Sequence, residues 1–133
     1  MHSGPIDYDA NAHYYYENII NTLILFTKKK EDLLKLAGPV FDPLFELESE
    51  LDYAFLPVLF ETVFRKNLIE KELQTSLLDF KKYVDDIDSS IWDYEFIDHH
   101  PKWIAARANA DDLLNELGIN YRNYSDDSTI HKI

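Results

Sequence analysis

Cysteine is absent from the chain, glycine occurs three times and methionine once. Without cysteine, stability cannot rest on disulfides, and a thiolate metal site or thiol nucleophile is excluded. So few glycines leave no Gly-rich loop to cradle a phosphate. No long apolar run occurs either: the most apolar stretch, Ile19 to Phe26, contains Asn21 and Thr22 and is too short to span a bilayer. The N-terminal Met1-His2-Ser3-Gly4-Pro5 lacks the charged-then-apolar layout of a signal peptide, so a cytoplasmic protein is expected.

Basic residues are scarce in a more telling way. From Leu36 to Phe64 there is no Lys or Arg, yet Asp42, Glu46, Glu48, Glu50, Asp52 and Glu61 all stand there. From Tyr83 to Pro101 the pattern repeats with Asp85, Asp86, Asp88, Asp93, Glu95 and Asp98. The whole chain carries 13 Lys and Arg against 25 Asp and Glu, a formal net charge of −12. That charge disfavours direct contact with a phosphate backbone or an anionic membrane leaflet. It suits a basic protein partner, and Tyr53, Trp92, Tyr94 and Phe96 lie among the carboxylates as candidate anchors.

With 133 residues the chain has the size of one domain, and hydrophobic residues make up 46% of it, enough for a sizeable core and too many for a disordered chain. Four helical stripes are legible. The first runs from about Ala10 to Ala37 on Tyr16, Ile19, Leu23, Phe26, Leu33 and Ala37, and stops at Gly38-Pro39. Ile20 and Ile24 widen the stripe, so its middle should be buried on most sides. The second opens with Asp42 as N-cap and Pro43 at the first helical position, and carries Leu44, Leu47, Leu51, Phe55 and Val58. Pro57 should kink it, with a complete break as the alternative.

The third stripe is Ile69, Leu73, Leu77, Phe80, Val84, Ile87 and Ile91, with Asn67 and Glu70 spaced as a capping box and Ser89-Ser90 as a place to break. The fourth opens at Pro101 on Trp103, Ala106, Ala110, Leu113, Leu114 and Leu117. It stops at Gly118, with Ile119 placed to pack back. The expected architecture is all-α: an antiparallel four-helix bundle over residues 10–119, or five helices if Pro57 or Ser89 splits one. Residues 1–9 then form an N-terminal arm and 120–133 a polar, irregular tail.

Several motifs yield to simpler readings. His99-His100-Pro101-Lys102-Trp103 resembles the His-His-Pro-Glu-Trp run of pterin-4a-carbinolamine dehydratases, but no further His follows before His131. His100 is better placed to cap the helix that Pro101 opens, with His99 exposed. No His-x-x-x-His or Glu-x-x-His pair exists to complete a bundle metal site, so no metal and no cofactor is expected. Glu46, Glu48, Glu50 and Asp52 are similar to the magnesium-holding carboxylates of all-α nucleotide pyrophosphatases, which would imply a metal-dependent hydrolase. Their spacing of two fans most of them around the helix, and no nearby cation could receive a phosphate. Of Tyr14-Tyr15-Tyr16, set about 100° apart around a helix, Tyr16 should join the core. Lys28-Lys29-Lys30 should complement the negative end of the first helix. Asn123-Tyr124-Ser125 matches a glycosylation acceptor, which without a secretion signal carries no meaning.

In composition, the stretch from Leu77 to Gly118 resembles small acidic helical immunity proteins of bacterial toxin systems. It contains Phe80-Lys81-Lys82-Tyr83, Ile91-Trp92-Asp93 and Trp103 through Leu117-Gly118. That resemblance implies a stoichiometric inhibitor, not an enzyme, which occludes a basic nuclease-type active site with carboxylates. A nucleic-acid mimic of the anti-restriction or anti-CRISPR kind is the other binding reading. The candidate partner-binding residues are Asp85, Asp86, Asp88, Trp92, Asp93, Tyr94 and Glu95, then Glu48 and Asp52.

Overall fold

A computed structural model describes residues 7–124. Among these the chain is all-helical: α1 (Ala12–Phe26), α2 (Lys30–Leu36), α3 (Pro43–Ala54), α4 (Pro57–Arg65), α5 (Gln74–Asp85), α6 (Tyr94–Ile97) and α7 (Pro101–Glu116). Short 3₁₀ turns at Asp9–Asn11, Lys71–Leu73 and Ser89–Ile91 lie between or before them. One isolated bridge joins Gly38 and Phe41. The expected all-α class holds, and seven α-helices form among the described residues.

α1 is the axis of the core. From Asn18 to Phe26 every residue is buried, which fulfils the expectation of burial on most sides. It packs against α3, α4 and α7, and α5 closes on α7. Phe80 of α5 meets Phe26 of α1 edge-on at 5.4 Å between ring centroids. Ala106 and Ala110 are fully buried on α7, and such small side chains allow close approach of a neighbouring helix.

The helix starts written into the sequence form as expected. Asp42 accepts a hydrogen bond from the Leu44 amide at 3.2 Å, and Pro43 stands at the first position of α3. His100 Nδ1 accepts from the Lys102 amide at 3.1 Å ahead of Pro101, and His99 is exposed. At the end of α7, Gly118 has φ +80°. The Ile119 amide donates to Leu114 O at 2.9 Å and the Gly118 amide to Asn115 O at 3.0 Å, the two bonds of a Schellman motif.

Three expectations about helix length need correction. The first stripe is two helices: Lys29 is extended (φ −89°, ψ 172°), and the Thr27 hydroxyl donates to Ile24 O at 2.6 Å. The lysine run therefore occupies a break instead of a single helix end, and Ala37 is exposed. Pro57 separates α3 from α4 completely, because Leu56 is extended (ψ 129°) and Pro57 becomes the first residue of α4; Val58 is exposed. The third stripe is helical only from Gln74 to Asp85. Asn67 has φ 59° just beyond α4, so it lies in a left-handed turn and caps nothing after it. Of the three tyrosines, Tyr15 is buried and Tyr14 and Tyr16 are half-buried.

The described parts of both ends contact the helical body. Tyr8 packs its ring 6.4 Å from that of Tyr15, and Asp9 pairs with Arg65 of α4. Residues 119–124 fold back onto the body. Arg122 Nε donates to Asp111 at 2.8 Å, Arg122 Nη2 to Asn115 Oδ1 at 2.8 Å, and the Tyr124 hydroxyl donates to the Glu50 carboxylate. The rest of the expected tail, with Ser125 of the glycosylation match and His131, lies outside the described residues.

Candidate functional site

The candidate site is a cleft where the two lysine- and arginine-free stretches meet. α3 forms one wall and the end of α5 with the Ser89–Ile91 turn forms the other, around about 490 Å³. Its floor is apolar: Leu51, Val84 and Ile87 are all buried residues that reach it. Glu48 and Phe45 stand on the α3 side, Asp85 and Trp92 on the other. Phe45 is 61% exposed, an aromatic ring left in water beside an open apolar floor. Helical geometry explains why these residues share a wall: Leu44, Glu48 and Leu51 recur at spacings of four and three along α3.

Of the nine residues expected to bind a partner, Glu48, Asp85 and Trp92 line this cleft directly. Asp52 joins them through Lys81, whose ammonium lies 3.2 Å from Asp52 Oδ1 and 2.6 Å from Asp85 Oδ2. Burial pushes the Lys81 pKa down, but hydrogen bonds to Asp85 and Asp52 outweigh it and hold the pKa above the usual lysine value. The expectation of two acidic bands without any cation among them is thus corrected: Lys81 reaches in from α5 and bridges them. It is one positive charge against Glu48, Asp52 and Asp85, so the rim remains anionic.

The other expected residues have local tasks that leave their charge in place. Asp88 Oδ1 accepts from the Ser90 amide at 2.8 Å, and this bond holds its carboxyl below the usual carboxylate range. Asp93 Oδ1 accepts from the Glu95 amide at 3.2 Å and so caps α6. Asp86 and Glu95 are exposed. Tyr94 is half-buried on α6; burial raises its phenol pKa, and the negative charges of Asp42 and Asp93 add to the rise. Asp93, Tyr94 and Glu95 do not line the cleft.

The expected aromatic anchors are more deeply engaged than the sequence suggests. Trp92 is half-buried, its indole N–H donating to Ile87 O at 3.3 Å and its ring meeting Trp103 edge-on at 4.8 Å. Tyr53 and Phe96 are likewise partly buried against the core. The exposed aromatic at the cleft is Phe45, which sequence reasoning missed. Its signal was present: it lies off the Leu44–Leu47–Leu51 stripe, on a face otherwise occupied by Asp42, Glu46 and Glu48.

Trp103 and Arg107 of α7 hold the second wall in place. The Trp103 indole N–H donates to Ile91 O at 2.7 Å, and Arg107 Nη1 donates to Ile97 O at 2.6 Å. These bonds satisfy carbonyls that a 3₁₀ turn and a four-residue helix cannot satisfy alone. Among the described residues, no group of three or more His, Asp or Glu is placed to hold a metal ion. Among the same residues no helix is long and apolar enough to cross a membrane. Comparison with protein-family models, with curated proteins and with solved structures finds no match to this chain.

Proposed function

We propose that this protein is an acidic binding module of the immunity or antitoxin type: a stoichiometric inhibitor that occludes the basic active site of a nuclease-like toxin in the cytoplasm. The observation that carries the reading is the meeting of both acidic stretches on one cleft lined by charged and apolar side chains. Glu48 and Asp52 come from α3 and Asp85 from α5, and Lys81 pairs with Asp52 and Asp85. Carboxylates on such a rim steer the approach of a cationic surface, and the apolar floor beside Phe45 gives the contact its desolvated centre. The same field repels nucleic acid, so the partner is a protein that binds nucleic acid rather than the nucleic acid itself. We read α1, α3, α5 and α7 as the members of an antiparallel bundle that presents this surface; the packing of α1 on α3 and α7, and of α5 on α7, supports that arrangement.

The test is neutralisation. The product of the gene adjoining this one is expressed alone and together with this protein, with growth and nuclease activity as readouts. Toxicity and nuclease activity alone, both abolished at one-to-one stoichiometry, are the expected result. An adjoining product that is harmless, or toxic but not bound, would defeat the inhibitor reading.

A further inference from the structure

We infer that the cleft between α3 and the end of α5 seats a short apolar segment of the partner that is flanked on its own chain by arginine or lysine. This deepens the inhibitor reading and rests on it. Leu44, Phe45 and Trp92 line the cleft with exposed or half-buried apolar surface above the buried Leu51, Val84 and Ile87, so an inserted apolar side chain would pack against these walls. The flanking chemistry follows from charge. Lys81 engages one oxygen each of Asp52 and Asp85, whose side chains are 60% and 48% exposed, so both carboxylates keep an oxygen for a second cation. Glu48 adds a third carboxylate along the α3 wall. A guanidinium can approach such a carboxylate edge-on through two parallel hydrogen bonds, which makes arginine the better flank. Lys81 marks the spot: its ammonium already lies where two carboxylates converge at ion-pair distance, and it competes there with the partner's cation.

The probe is a synthetic peptide, acetyl-Lys-Arg-Leu-Phe-Arg-Lys-amide, added to the full-length protein. Two control peptides replace Leu-Phe by Ser-Ser, or all four basic residues by Glu. Trp92 emission and the amide resonances of Phe45, Glu48, Asp85 and Ser89 report occupancy. Saturable binding that shifts these resonances is expected, weakened roughly tenfold by Phe45→Ala and again by Glu48→Gln. The Ser-Ser peptide should bind at least about tenfold more weakly, and the Glu peptide not at all. Lys81→Met should tighten binding by roughly threefold, an outcome that a purely structural role for Lys81 would not give.

Equal affinity for the Leu-Phe and Ser-Ser peptides, or shifts confined to another face, overturns the inference. So does concentration-dependent dimerisation abolished by Phe45→Ala, which would make a second copy the occupant. A Trp92 emission change on removing residues 125–133, without peptide, would give the cleft to the chain's own end and overturn it too. The two levels separate cleanly. If neutralisation of the toxin survives Phe45→Ala and Glu48→Gln, the cleft assignment falls and the inhibitor reading stands. If the peptide docks as described but the adjoining product is not neutralised, the inhibitor reading falls and the cleft remains a site for basic, apolar-anchored segments.

Discussion

On α3 three carboxylates stand two residues apart and meet opposite conditions. Glu48 lines the cleft and Asp52 is exposed, whereas Glu50 between them is 3% exposed. Around Glu50 the interior is polar by design of sequence: the Thr22 hydroxyl of α1 contacts the Glu50 backbone carbonyl at 3.4 Å, and the Tyr124 hydroxyl donates to its carboxylate. A buried carboxylate survives only with such donors, so its partners are part of the fold. The outward pair is exposed: Asp52 shares its charge with Lys81, and Glu48 stands at the cleft. One residue type on one helix thus serves stability on one face and recognition on the other, and what decides is the surroundings.

That contrast can be broken from the inside first. Leu51→Ala, at a site 1% exposed that belongs to both core and cleft floor, should cost about 2–5 kcal/mol in chemical denaturation. Tyr124→Phe removes one donor to the Glu50 carboxylate and should cost about 1–3 kcal/mol by the same measurement. Asp42→Ala, which removes the cap of α3 and leaves both faces intact, should cost about 1 kcal/mol.

The flank of α3 gives a pH-dependent signal. Burial, with the neighbouring phenol of Tyr14, pushes the Tyr53 pKa up to about 12. The folded state therefore holds this proton after the unfolded chain has lost it. The contribution is complete below pH 10 and disappears as pH rises toward 12. Absorbance titration should show several late phenols, Tyr15, Tyr16 and Tyr94 being raised as well, and Tyr53→Phe should remove one of them together with part of the alkaline loss of stability. Smallest of all, Glu48→Gln on the outer face should leave stability within about 0.5 kcal/mol while slowing association with a basic partner. If Glu48→Gln instead unfolds the protein, the distinction between the two faces fails.

The sequence was most readable where local chemistry suffices. Asp42-Pro43, His100-Pro101 and Gly118 each act within a few residues, and each forms the expected start or stop. Periodicity located the buried residues well: Leu23, Phe26 and Leu33 are all in the core. It could not show the break between Phe26 and Leu33, because a spacing of seven is satisfied by one straight helix or by two that pack on the same core. For the same reason Val84, Ile87 and Ile91 looked like a continuing helix, although the chain turns after Asp85. Three consecutive tyrosines left the inward ring undetermined to within one position. The site was legible as charge and not as shape. Glu48 and Asp85 were singled out, and Lys81 and Asp85 stand four apart on one helix, but only tertiary packing sets Glu48 and Asp85 across one cleft, brings Asp52 to the Lys81–Asp85 pair, and leaves Phe45 exposed.

The first amide of α2 is capped from across the molecule: Lys30 N–H donates to Asp98 Oδ1 at 2.9 Å, 68 residues along the chain. No residue beside α2 performs this task, since Lys29 offers no side-chain acceptor. Seven residues seldom hold a helix by themselves. This bond ties the opening of α2 to the segment that carries Asp98, and the amide protons of the first turn of α2 should exchange with solvent no more slowly than those around Asp98. Asp98→Ala would uncouple them, loosening α2 while α7 keeps its protection.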